Sequence, residues 1–337
     1  MKIGGDGGPT RTGPALDFDA ARAAVARVAR LTPLLESPEL SDAVGAPVLL
    51  KLESLQVTGS FKVRGAAARL AALTAEERQV GVVTCSSGNH GRAVAHAARR
   101  LGIPATICVP DWVDPVKLEG IRASGAEAVL AGPTYDEAEA HALALARDTG
   151  RPFVSAYDDP WIMAGQGTLA LEVLDALDDP PRAFLVPLSG GGLVGGIAAA
   201  LRQRLGDEAP ATVAVTAERA RVMLASLEAG HPVELPEETT VASALSGGIG
   251  LENRYSFAAV RDLVDEHVVV TEEEIRAAMA FAATTLHVVA EGGGAVGIAA
   301  LRSGRWSPAE GTGAVVVVVS GGNVAPSTLA DVLSGAS

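Results

Sequence analysis

One amine stands out in a chain that otherwise takes its positive charge from arginine. Only four lysines (Lys2, Lys51, Lys62, Lys117) occur among 27 basic residues. Arginine keeps its proton at any working pH and forms no Schiff base. Lysine can lose its proton and form a Schiff base once burial or neighbours lower its pKa. Lys62 lies in Ser60-Phe61-Lys62-Val63-Arg64-Gly65-Ala66, flanked by apolar and small residues, a setting suited to an amine that does covalent chemistry. The competing reading is a lysine that snorkels from an apolar helix edge.

Three glycine-rich turns follow apolar runs, where α/β sheets bind ligands. The first is Ser86-Ser87-Gly88-Asn89-His90-Gly91, in which hydroxyls, backbone N–H groups and a helix start converge. Such a loop suits a carboxylate or phosphate, or is an ordinary capped turn. The second, Ser189-Gly190-Gly191-Gly192-Leu193-Val194-Gly195-Gly196, carries the strongest phosphate signal, because glycines let backbone N–H groups close around an anion. It also holds a G-x-G-x-x-G spacing, with Glu218 near the end of the next strand. That leaves open a dinucleotide site in an oxidoreductase, or glycines that serve helix–sheet packing alone. The third, Ser320-Gly321-Gly322-Asn323, ends a continuous valine run that reads as a central strand buried on both faces.

The elements that must position these segments are those of an α/β protein. Strands are expected at Val48–Leu52, Val80–Cys85, Ala105–Val109, Ala126–Leu130, Ala183–Pro187, Thr212–Thr216, Glu266–Val270 and Ala314–Ser320. Ala-rich helical stretches alternate with them, which predicts mostly parallel sheets flanked by helices. Pro33, Pro38, Asp158-Asp159-Pro160 and Pro180-Pro181 mark expected breaks. Two interlocked domains are expected, a small one over residues 56–155 inserted in a large one made of 15–55 and 156–337.

Bulk properties narrow the function. The 337 residues are 48% hydrophobic but only 4% aromatic, so the core is Ala, Val and Leu. A net charge of -13 argues against a nucleic-acid or anionic membrane partner. No run reaches the roughly 18 apolar residues of a membrane span. Residues 1–14 are Gly-rich and polar, without the apolar stretch of a signal peptide, and read as a loose tail. Cys85 and Cys108 form no metal or disulfide framework, which fits a reducing cytoplasm. His96, His141, His231, His267 and His287 show no metal-ligand spacing.

A lysine, an Asn-bearing loop, a glycine cradle and a serine at a strand end together match the needs of pyridoxal 5'-phosphate. The chain resembles the fold-type II pyridoxal-phosphate enzymes, specifically the serine/threonine dehydratase and serine racemase group. The likeness runs from Leu31 to Asn323 through SFKVRGA, SSGNHG, AGQGT (Ala164 to Thr168), SGGGL and SGGN. It implies that Lys62 carries the cofactor as a Schiff base, Phe61 packs on its ring and Asn89 bonds its 3-oxygen. Ser189, Gly190, Gly191, Gly192 and Leu193 would hold the phosphate, Ser320 would face the ring nitrogen, and Glu291 would lie near the cofactor. Ser86, Ser87, Gly88 and His90 would bind the substrate carboxylate, with Ser87 on the face opposite Lys62. The implied reaction is loss of water from a β-hydroxy amino acid of the L-threonine or L-serine type, giving a 2-oxo acid and ammonia. A small amino acid is then the partner, and a homodimer the usual assembly.

Departures refine this. Some relatives bind a divalent metal through a Glu and an Asp six residues on, but here Glu218 is followed at that distance by Leu224, so no metal is expected. The chain ends soon after Asn323, so no C-terminal regulatory domain is expected. The segment Leu245 to Tyr255 and the run Ala290 to Leu301 look like the hydroxyectoine-utilisation dehydratases. Gly247 and Gly248 would then give a roomier pocket for a larger hydroxylated diamino acid. Racemisation by the Lys62/Ser87 pair is a further alternative.

Overall fold

The computed structural model describes residues 15–309, 311 and 313–335; the tail expected over residues 1–14 lies outside them. Asp17 accepts a hydrogen bond from the Ala20 N–H (2.9 Å) and starts helix α1 (Phe18–Val28). A short strand β1 (Leu34–Glu36) and helix α2 (Pro38–Val44) follow, neither of them anticipated. Pro38 is no break: it occupies the first turn of α2, where its missing N–H costs nothing, and Ser37 caps the Leu40 N–H (3.3 Å). Strand β2 (Val48–Leu52) leads through a 3-10 turn to α3 (Lys62–Ala71).

The strand expected from Val80 begins only at Val82. Thr74 and Glu77 form a capping box that makes Ala75–Val80 helix α4, and β3 is Val82–Cys85. Next come α5 (Asn89–Leu101), β4 (Ala105–Val109), α6 (Pro115–Ala123), β5 (Glu127–Leu130) and α7 (Tyr135–Thr149). Asp159 accepts from the Trp161 and Ile162 N–H groups and starts α8 (Pro160–Ala176). The chain continues through β6 (Ala183–Pro187), α9 (Gly192–Leu205), β7 (Ala211–Ala217), α10 (Val222–Ala229) and α11 (Tyr255–Leu263). It closes with β8 (Glu266–Val270), α12 (Glu272–Thr284), α13 (Gly292–Arg302), β9 (Val315–Val319) and α14 (Pro326–Ser334).

The strands form two sheets. The larger has the order β1-β2-β9-β6-β7-β8 and is parallel except at the β1–β2 pair. The smaller, β3-β4-β5, is wholly parallel. Central β9 is five buried valines, as a strand covered on both faces requires. Apolar side chains of α1, α8, α9 and α11 cover one face of the large sheet, and those of α2, α12 and α13 the other. The small sheet packs against α3 and α5, and against α7.

The AGQGT run is a packing device. A Cβ on Gly165 would lie 2.4 Å from the Arg64 carbonyl oxygen, so only glycine lets α8 lie this close to α3. All four chemistry-bearing segments leave the carboxyl ends of β2, β3, β6 and β9, the ligand-binding edge of parallel sheets.

Candidate active site

Lys62 is the first residue of α3, and the chain before it is stitched to the loop after β9. Phe61 N–H donates to the Ser320 carbonyl (3.0 Å), Gly322 N–H donates to the Gly59 carbonyl (2.9 Å), and Ser60 bridges Gly321. The amine and the Ser320 turn are therefore placed by one backbone arrangement. Lys62 Nζ donates to the Ala156 carbonyl (2.7 Å) and lies 5.3 Å from the centre of the Phe61 ring. Burial pulls the ammonium down to about 8, while the charge of Glu291 acts in the opposite direction. A sizeable fraction of the amine is neutral near physiological pH, the state a nucleophile or base needs.

Helix α3 is itself held by a buried ion network. Arg64 Nε and Nη2 donate to both Glu53 oxygens (2.8 Å each), and Nη1 and Nη2 donate to both Glu172 oxygens (2.6 and 2.8 Å). Lys51 Nζ adds bonds to Glu172 (2.7 Å) and to the Thr32 carbonyl (2.9 Å). Two cations face two carboxylates, so the cluster is neutral as a whole. It ties β2, α3 and α8 together behind Lys62.

The Ser86–Gly91 turn enters α5. Ser86 Oγ accepts from the Gly88 N–H (3.1 Å), and the Ser87 hydroxyl has no hydrogen-bond partner among the described residues. Gly88 supplies no side-chain cap, so the first N–H groups of α5 are open to a ligand. The His90 ring points into the core. It is buried, and Nε2 lies 3.0 Å from the Val154 carbonyl. That oxygen only accepts, so Nε2 carries the hydrogen. Burial, and then the charge of Lys62, pulls the imidazole down to about 3, and it stays neutral. Only its backbone N–H is left for a substrate.

Asn89 uses both ends of its amide. Nδ2 donates to Glu291 Oε1 (2.7 Å), and Oδ1 accepts from Asn323 Nδ2 (2.7 Å). One Nδ2 hydrogen remains for a ligand. Burial raises the Glu291 carboxyl, offset by Asn89, Arg92, the Asn323 backbone and Lys62. Ser320 is buried, and its hydroxyl has no partner among the described residues.

The glycine loop runs from half-buried Ser189 into α9. Gly191 has φ +84°, a left-handed conformation, and caps α9 without a side chain. Cβ atoms on Gly190 and Gly192 would meet Tyr157 at 2.4 and 2.7 Å. Packing against Tyr157 thus demands these glycines, and the bare N–H groups of Gly192 and Leu193 stay at an uncapped helix N-terminus. An anion cradle, a desolvated amine and an unpartnered serine hydroxyl suit a phosphate, an aldehyde and a ring nitrogen. The donor set fits pyridoxal phosphate.

Several residues of this arrangement escaped the sequence reading. Asp158, expected only to mark a break, accepts from the backbone N–H groups of Arg254, Tyr255 and Ser256 (2.9, 2.7 and 2.9 Å) and starts α11. Ser256 Oγ then donates to the Gly190 carbonyl (2.7 Å) and props the glycine loop. Asn323 donates to the Thr58 carbonyl (2.9 Å) as well as to Asn89. Glu218, weighed as a ribose or metal ligand, accepts from the Glu272 N–H (3.1 Å) at the start of α12. Among the described residues no group of three His, Cys, Asp or Glu side chains could hold a metal ion. No described helix is long and apolar enough to cross a membrane.

Comparison with known proteins agrees with this chemistry. A family described as pyridoxal-phosphate dependent enzyme matches residues 25–321. A putative threonine dehydratase of Sinorhizobium fredii is 42% identical over 304 residues, 90% of each chain. An L-threonine ammonia-lyase of Thermotoga maritima is 39% identical over 308 residues, 91% of this chain and 75% of the relative. The structure of maize serine racemase superposes with a TM-score of 0.86 at 33% identity, covering 96% of this chain and 98% of that one. A dinucleotide site in the glycine loop is thereby set aside. The cradle on α9, the amine at the start of α3 and these likenesses make the chain a member of the fold-type II pyridoxal-phosphate dependent enzymes, in the family of the threonine dehydratases.

Proposed function

We propose that this enzyme is an ammonia-lyase of β-hydroxy amino acids, removing water from a substrate of the L-threonine or L-serine type and releasing a 2-oxo acid and ammonia. The observation that carries it is the Lys62 amine, brought down to about 8 by burial beside the Ser320 turn, with an uncapped α9 and an unpartnered Ser320 hydroxyl nearby. The relatives named as threonine dehydratase and L-threonine ammonia-lyase support the substrate class.

In this reading Lys62 holds the cofactor, with Phe61 against its ring, one Asn89 N–H on its 3-oxygen and Glu291 fixing Asn89. The backbone of Ser189, Gly190, Gly191, Gly192 and Leu193 holds the phosphate, and Ser320 meets the ring nitrogen. Bound there, pyridoxal phosphate supplies an electron sink for charge developing at the substrate α-carbon. Once a substrate amine had taken its place on the cofactor, the freed Lys62 amine would be the base for the α-proton. Ser86 and Ser87 hydroxyls, with the N–H groups of Gly88 and His90, bind the carboxylate, with the Ser87 hydroxyl on the face away from Lys62. The β-hydroxyl leaves as water, and hydrolysis of the unsaturated amine takes up one water and gives the 2-oxo acid and ammonia.

Two narrower readings have support. Cβ atoms built on Gly247 or Gly248 would meet nothing closer than 4.0 Å, which favours a larger hydroxylated diamino acid, as the hydroxyectoine-dehydratase resemblance implies. The likeness to serine racemase favours racemisation by Lys62 and Ser87, and Ser87→Ala would then abolish interconversion of serine enantiomers. The reading includes a homodimer, a division at residues 56–155 and a reducing cytoplasm, the last supported by two buried free cysteines.

The test is the visible absorption of purified protein beside Lys62→Ala, before and after adding L-threonine or L-serine. Wild-type protein is expected to carry the cofactor's colour, to change it with substrate and to release 2-oxo acid. Colourless protein that pyridoxal phosphate does not reconstitute would overturn the reading.

A further inference from the structure

Arg92 is a half-buried arginine whose partner is an amide and not a carboxylate. It stands three residues after Asn89 on α5, so the two side chains share a face of that helix. Arg92 Nη1 donates to Asn323 Oδ1 (3.3 Å), and Arg92 makes no ion pair with any described residue. Asn323 in turn bonds Asn89, so the guanidinium stands two hydrogen bonds away from the amide assigned to the cofactor.

These bonds run in one direction, set by groups of fixed polarity. The Thr58 carbonyl only accepts, so the Asn323 nitrogen faces it (2.9 Å), and the second hydrogen of that nitrogen goes to Asn89 Oδ1 (2.7 Å). The Asn323 oxygen is left toward Arg92, a group that only donates. Turned over, the Asn323 amide would set its oxygen against the Thr58 carbonyl and its nitrogen against the guanidinium. Asn89 must therefore accept at Oδ1, and its nitrogen turns to Glu291 Oε1 (2.7 Å) with one hydrogen to spare. The corner is tight: Cβ atoms on Gly59 and Gly321 would collide with Asn323 Oδ1 and Glu291 Oε1. Charge acts in the same sense. Burial raises the Glu291 carboxyl, and Asn89, Arg92, the Asn323 backbone and Lys62 oppose it, while the His90 imidazole is neutral. An ionised Glu291 only accepts, so it too holds the Asn89 nitrogen in place.

We propose that Arg92 is a positioning residue for the cofactor: through Asn323 it keeps the Asn89 amide turned with its free N–H toward the 3-oxygen, and it places a positive charge on that side of the site. This rests on the reading in which Asn89 bonds the 3-oxygen, and deepens it. A donor and a cation beside that oxygen favour its anionic form over the protonated one.

The experiment compares wild type with Arg92→Met, Arg92→Gln, Arg92→Lys and Asn89→Ala, each stripped of cofactor and titrated with pyridoxal phosphate. The readouts are the dissociation constant, the pH midpoint at which the visible band of the reloaded protein changes, and the melting temperature of the apo protein. Arg92→Met should weaken binding about tenfold and raise the pH midpoint by about half a unit or more. Arg92→Gln keeps a donor and loses the charge, so affinity should recover while the midpoint stays raised. Arg92→Lys should restore most of both. Asn89→Ala should move both at least as far as Arg92→Met. Arg92→Met values equal to wild type, with both readouts moved by Asn89→Ala, overturn the proposal and leave the Asn89 assignment standing. Equal losses in all three Arg92 variants, with melting temperatures lowered alike, show a packing role and overturn it as well. Readouts unmoved by Asn89→Ala overturn the Asn89 assignment together with the proposal. Wild type that binds no cofactor overturns the lyase reading itself.

Discussion

Two lysines on neighbouring elements, Lys51 buried and Lys62 half-buried, are held in opposite ways. Lys51, on β2, sits 2.7 Å from Glu172 in a cluster that also contains Arg64 and Glu53. Burial lowers its pKa, and Glu172 opposes that shift. Lys62, at the start of α3, meets a neutral carbonyl and feels only the more distant Glu291. The first arrangement fixes charge, and the second leaves an amine able to give up its proton. Arg64 lies one half-turn from Lys62 on the same helix, so the rigid cluster and the reactive amine share a scaffold. Charge pairing is concentrated in one, and the proposed chemistry in the other.

The comparison breaks first at Lys62. Lys62→Ala should lower turnover by a factor on the order of 10⁴ or more, measured as 2-oxo acid release. Its apo-protein melting temperature should stay the same or rise, because a poorly compensated buried charge is gone. A large loss of stability would show that Lys62 is part of the structural cluster after all.

Arg64→Met should do the reverse. It strips Glu53 and Glu172 of their shared cation where Glu53 is fully buried. Breaking a buried ion pair from one side costs about 3–5 kcal/mol, read as a lower urea midpoint at unchanged m-value. A change under about 1 kcal/mol would mean the cluster relaxes or takes up water, and that the surface-pair estimate applies.

Gly190→Ala tests a boundary between the two regimes. Its Cβ would lie 2.4 Å from Tyr157 Cγ, and overpacking of this kind costs about 1–3 kcal/mol. The phosphate cradle should also hold its cofactor less tightly. If Tyr157 is the obstacle, Tyr157→Ala should relieve the cost in a double-mutant cycle.

These contrasts were unequally legible in the sequence. The strands at Val48–Leu52, Ala105–Val109, Ala183–Pro187 and Glu266–Val270 are found at the expected bounds, because apolar runs between turn residues leave little ambiguity. Lys62 drew notice in the sequence because lysine is rare in this chain, and the structure adds its place at the start of α3. The helix α10 was not, since Val-Met-Leu-Ala-Ser-Leu-Glu-Ala offers scarcely any polar face to reveal its period. The caps at Ser37 and Asp159 were hidden behind prolines that read equally well as breaks. Arg64 was quoted only as part of a motif; its carboxylate partners come from Glu53 and from Glu172 on α8, a pairing across sequence distance that no local pattern encodes. The engagement of the His90 ring by Val154 has the same origin.

The smallest effect sharpens the comparison most directly, because it reads the Lys62 proton itself. In the folded apo protein the amine titrates at about 8, against an ordinary value of 10.5. Below the lower value both folded and unfolded chains carry the proton, and the folded state bears the cost of a buried charge. Between the two values the unfolded chain binds more protons than the folded one, so folding stability rises with pH across that window. Above it the relief is complete. Lys62 is half-buried, and solvent screening should keep this gain to no more than about 1 kcal/mol. Lys62→Met should lack the rise, and the urea midpoints of the two proteins should converge or cross between pH 8 and 10.5. Parallel curves over that range would place the Lys62 pKa near its ordinary value. The amine would then be solvated like a surface lysine, and the distinction drawn between it and Lys51 would rest on charge pairing alone.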